Sequence, residues 1–103
     1  MPDIKQLHEA LLTRILEGDG RASRDQRRAA FDNAERAEPL RTLLDKVAKT
    51  PARISDAEVA AVKASGLTED QIFELVICAG AGQATRQYKT ALAALEKAAA
   101  RKE

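Results

Sequence analysis

The stretch TEDQIFELVICAGAGQA, residues 68–84, decides the fold. It opens with Thr68-Glu69-Asp70-Gln71, a capping box in which the Thr and Gln side chains each accept a backbone N–H left free by a helix start. Ile72, Phe73, Leu75, Val76 and Ile77 follow, an apolar run without strand-like alternation. Glycine in a helix interior costs about 1 kcal/mol relative to alanine. Ala79-Gly80-Ala81-Gly82 therefore marks either a break or a place where another backbone comes close. Ala84, Tyr88, Ala91, Leu92 and Leu95 resume the helical period. The expectation is a continued helix, close-packed at residues 80–82 with or without a kink, and a helix-prone tail, 97–103, that frays.

Upstream segments carry the same period. Ile4, Leu7, Leu11 and Ile15, with Leu12 and Leu16 beside them, form one face of an amphipathic helix over residues 1–20. Pro2 suits its first turn, and Gly18 and Gly20 can end it. Ser23-Arg24-Asp25-Gln26 is a capping box for a helix holding Ala30, Phe31 and Ala34. Pro39 opens a third helix with Leu40, Leu43, Leu44 and Val47 as its stripe, and Pro51 stops it. Ser55-Asp56-Ala57-Glu58 starts a short helix that buries Val59 and Val62 and ends at Gly66, a left-handed cap. Caps and periods agree throughout, which predicts an all-α fold, one compact bundle of five to six helices spanning residues 1–103 as a single domain.

Composition narrows the chemistry. Phe31, Phe73 and Tyr88 are the aromatics, too few for a stacking platform on single-stranded nucleic acid. Seventeen Lys and Arg balance sixteen Asp and Glu, which argues against a dedicated nucleic-acid binder. Residues 21–53 nevertheless hold nine bases against five acids, and Arg21, Arg24, Arg27 and Arg28 cluster there. A solvated charged face explains them, or a docking patch for an acidic protein partner. One cysteine excludes an internal disulfide and fits a reducing compartment. Without a secretory signal or a membrane-spanning run, the expected location is cytoplasmic by default.

Few residues offer a site. His8 is the only histidine and reads as an exposed helix residue; no metal and no cofactor site is expected. Cys78, well inside an apolar helix, reads as a small hydrophobe. Gly80 and Gly82 lack the strand and the Gly-Lys-Ser/Thr ending of a phosphate loop. Glu74 stands out among apolar neighbours. It either faces solvent or is buried beside an arginine such as Arg86, in which case the pair is the best catalytic candidate in the chain.

The segment from Ala64 through Gly66, Leu67 and Thr68 to Leu75 resembles the helix–turn–helix signature of the alkylhydroperoxidase D-like, carboxymuconolactone decarboxylase-like superfamily. Leu44 to Ala48, Ile54-Ser55-Asp56 and the alanine-rich run through Ala84, Arg86 and Ala91 are similar to it too, so the resemblance covers roughly residues 40–95. It implies an all-α fold and obligate oligomers. Redox members carry a Cys-x-x-Cys pair and a histidine, whose positions fall here near Pro51, Ile54 and Glu58. None matches, so the resemblance carries over no thiol chemistry and no catalytic residue.

Three functional expectations follow, in order. The first is a non-catalytic helical domain that self-associates, a homo-oligomer formed through its apolar and Ala/Gly-rich helices, or serves as an accessory subunit. The second is a small-molecule lyase, isomerase or decarboxylase-like enzyme using carboxylate and arginine groups such as Glu74 and Arg86. The third is an anion- or nucleic-acid-associated module built on residues 21–53.

Overall fold

The structure, a computed structural model, describes residues 3–101. Five α-helices and one 3-10 turn form the described residues, with no strand among them: α1 (Ile4–Glu17), α2 (Arg24–Phe31), α3 (Leu40–Lys49), the turn Pro51–Arg53, α4 (Asp56–Ala64) and α5 (Glu69–Arg101). The three expected capping boxes are present at Ser23/Gln26, Ser55/Glu58 and Thr68/Gln71. A fourth, Asp3/Gln6, starts α1; Pro2 and the last two tail positions lie outside the described residues.

The spine of the fold is α5. Its 33 residues run unbroken through Gly80 and Gly82, about 50 Å at 1.5 Å per residue, and account for most of the 57 Å long axis. α2 and α3 pack across its first half. α1 lies alongside it in the opposite sense, since Ile15 near its C-terminus meets Cys78 while His8 nearer its start meets Thr85 and Tyr88. Leu43 and Leu44 of α3, Val62 of α4, and Leu75 and Cys78 of α5 are the most deeply buried side chains, joined by Leu16 and Ala30. Gly66 takes φ +114° after α4, the left-handed cap its position predicts.

Two expectations need correction. α2 ends at Phe31, so Ala34 lies beyond it. Asn33 adopts φ +54°, a conformation Asn tolerates, and its amide donates to Asp45 of α3, which ties the turn down. Val59 is exposed because α4 turns only its Val62 side inward. The described part of the helix-prone tail is helical through Arg101; alanines at 98, 99 and 100 favour helix without needing contacts.

Candidate functional site

Glu74 neither faces solvent freely nor pairs with Arg86. Its half-buried carboxylate accepts the backbone N–H of Arg21 at 2.7 and 2.8 Å and, more loosely, that of Ala22. These N–H groups belong to the loop between α1 and α2, just ahead of the Ser23 cap. Glu74 thus latches that loop to α5 by charge-assisted hydrogen bonds. Arg86 lies 12 residues further along, about 18 Å at 1.5 Å per residue. Its guanidinium donates to the Phe31 carbonyl at 2.6 Å and to Gln83 at 3.1 Å. The carboxylate–arginine pair of the enzyme reading is not assembled, and both groups hold backbone in place.

Arg27 shows the same economy. Its buried guanidinium donates to the carbonyls of Ile15 and Gly18 at 3.2 and 2.7 Å, closing the C-terminal end of α1. Of the arginines of residues 21–28, Arg21, Arg24 and Arg28 are exposed. Arg27 is internal, and Arg28 pairs with Asp32 and lies over the Phe31 ring. Beside this knot, burial pushes the Cys78 thiol up; Arg27 opposes that rise and Glu74 adds to it. Cys78 is a core residue with little thiolate character.

His8 sits half-buried beside Thr85 and Tyr88. Among the described residues no group of three or more His, Cys, Asp or Glu is placed to hold a metal ion. Pro51 is a turn proline, Ile54 a groove residue, and Glu58 a capping glutamate that also pairs with Lys46 at 2.7 Å. A groove of about 550 Å³ between α3, α4 and α5 is lined by Val47, Ile54, Val59, Phe73 and Val76, with Asp56 and the Lys63–Glu69 ion pair beside them. Its lining is mostly apolar.

What the surface does offer is an apolar face. On α5, Phe73, Ile77, Gly80, Ala84, Tyr88, Ala91 and Leu95 follow one another at steps of three and four, so they lie along one side. Phe73, Tyr88 and Leu95 are 65%, 57% and 68% exposed. The stripe advances 22 residues from Phe73 to Leu95, two 11-residue repeats, a period near 3.67 that a straight helix keeps on one side. Beside it on α1 stand Ile4, Leu7 and Leu11, all more than half exposed, with Leu11 and Ile77 lining one shallow cleft. From Gln87 onward every described residue of α5 is exposed. The radius of gyration, 16.1 Å, exceeds the roughly 13 Å of a compact chain of this length, as a projecting helix requires. Sequence periodicity finds the stripe; the packing shows that most of it has no cover in the protomer.

No family model, curated protein or solved structure matches the chain. No described helix is long and apolar enough to cross a membrane.

Proposed function

We propose that the chain is a non-catalytic helical assembly module that associates with further copies of itself through the apolar face of α1 and α5. The observation that carries this reading is the row of large exposed side chains, from Ile4, Leu7 and Leu11 across to Tyr88 and Leu95. Covering one such side chain is worth about 1.5–3 kcal/mol, and apolar faces of this extent mark interaction sites. The engagement of Glu74, Arg27 and Arg86 with backbone groups weighs on the same side, because these three charged groups are taken up in holding the fold. The likeness of residues 40–95 to a superfamily of obligate oligomers, in a version without its thiols and histidine, supports the same reading. Light scattering coupled to size exclusion at micromolar concentration tests it. A dimer or larger species is expected, and a clean monomer overturns the proposal.

A further inference from the structure

The two glycines of α5 have different surroundings. A Cβ at Gly82 would run into the carbonyl of Phe31, so the protomer itself demands glycine there. A Cβ at Gly80 would meet nothing within 4 Å. Gly80 therefore carries the helix-interior cost of glycine without any need inside its own chain. It lies in the middle of the exposed stripe, two turns before Tyr88, with Ala84 halfway between them.

We infer that the occupant of this face is a second copy of the chain, its α5 antiparallel to the first and related by a two-fold axis at Ala84. The inference rests on the self-association reading above. In this register Tyr88 of each copy meets the gap at Gly80 of the other, Ala84 meets Ala84, Ile77 meets Ala91, and Phe73 meets Leu95. Large side chains face small ones at the centre, where small residues let helix axes approach. A parallel pairing would set Tyr88 on Tyr88 and leave Gly80 opposite Gly80, bulk on bulk and gap on gap.

Charge selects the same orientation. The start of α5 holds Asp70 together with Glu69 and Glu74, which already bind Lys63 and the α1–α2 loop; residues 75–85 hold no charge; residues 86–101 hold Lys89, Lys97 and Arg101 against Glu96, besides Arg86 on the Phe31 carbonyl. Antiparallel pairing lays the acidic end of one helix along the basic end of the other, and it opposes the helix dipoles. α1 fits as well. The contacts of His8 with Thr85 and of Ile15 with Cys78 put Leu11 about level with Gly82 and Leu7 about level with Arg86. Leu7 and Leu11 thus flank the Gly80–Tyr88 contact and extend the buried surface to a four-helix arrangement.

Disulfide trapping tests the register in the full chain with Cys78→Ala as background. Chains carrying Phe73→Cys alone are mixed with chains carrying Leu95→Cys alone and oxidised. The expected product is the mixed disulfide, with homodisulfides at least tenfold rarer, because equivalent positions stand 22 residues of helix apart. Predominant homodisulfides would overturn the antiparallel register, as would the absence of any disulfide in a sample that light scattering shows to be dimeric. A monomer by light scattering would remove the self-association reading itself. Gly80→Leu provides a second arm: it should leave the helical signal intact and weaken association at least tenfold. Unchanged association overturns the register.

Discussion

Gly82 of α5 packs so tightly against the carbonyl of Phe31 that no other residue fits. The last turn of α2 rests there on the spine helix, and Arg86, one turn on, donates to the same carbonyl. Gly82→Ala forces α2 away from α5 and should destabilise the fold by about 1–3 kcal/mol, the range for overpacking. Gly80→Ala meets open space and should instead stabilise the protomer by about 1 kcal/mol through helix propensity. Urea unfolding at concentrations low enough to keep the chain monomeric separates the two, and equal effects would mean that the helix contacts are drawn wrongly.

A second relationship joins Glu74 to Gly20. A Cβ on Gly20 would collide with Oε1 of Glu74, one of the two carboxylate oxygens that accept the Arg21 N–H. Glu74→Ala should cost about 1.5–3 kcal/mol, the value of hydrogen bonds to a charged group. Gly20→Ala should cost a comparable amount by pushing the carboxylate off its donors. In the double variant the second change should cost almost nothing, since the latch is already gone. A double-mutant cycle by denaturant unfolding reads this directly, and additive effects would refute the latch.

The helices and most of their ends were legible because cap and period are local signals. Ser23, Ser55, Thr68, Pro51 and Gly66 act within a few residues of themselves. The partners of Glu74, Arg27 and Arg86 were not legible. Each reaches backbone groups of another segment, over sequence separations of 53, 12 and 55 residues for the contacts to Arg21, Ile15 and Phe31. A carboxylate in an apolar run looks the same whether it serves a substrate or a loop. The same limit applies to the α5 stripe, whose period shows that Tyr88 and Leu95 share a side but not whether a neighbouring element covers them.

Cys78 should react slowly. Burial raises its pKa from the ordinary value of 9.0, so thiolate is scarce at pH 8, and the side chain is enclosed. Modification by a disulfide reagent should be at least a hundredfold slower in the native protein than in urea. Its rate should report the opening of α1 from α5, because the sulfur faces the Ile15 carbonyl. Native reactivity matching the unfolded chain would contradict this placement.

Acid should loosen the contact between α3 and α4. Lys46 bonds Glu58 across the two helices, and Ser55 assists, holding the Glu58 carboxyl below its ordinary value of 4.5. A depressed folded pKa means the contribution is present in full above the unfolded value and is lost as pH falls through the folded one. Stability should therefore decline below about pH 4.5, and Glu58→Gln should flatten that decline while leaving a constant loss of stability at pH 7. Thermal midpoints measured from pH 7 to pH 3 give the comparison, and parallel curves for the two proteins would exclude Glu58 as a contributor.

Arg27 offers the sharpest separation between charge and geometry. Its NH1 nitrogen reaches the carbonyls of Ile15 and Gly18, at the end of α1 where the helix dipole is negative. A cation is favoured there, but a buried one without its hydrogen bonds costs several kcal/mol. Arg27→Met removes the charge and keeps apolar length, leaving two carbonyls without this donor and a loss of about 1–3 kcal/mol. Arg27→Lys keeps the charge on a single nitrogen at the end of a differently shaped stem, so it should recover only part of that loss. Both variants should release α1 before the rest of the bundle, because Arg27 ties α2 to the end of α1 while α2 and α3 keep their packing on α5. Hydrogen exchange should then show faster amide exchange over Leu11–Glu17 with α3 and the first half of α5 unchanged. Uniform acceleration across all helices would mean that Arg27 supports the whole core rather than the docking of α1.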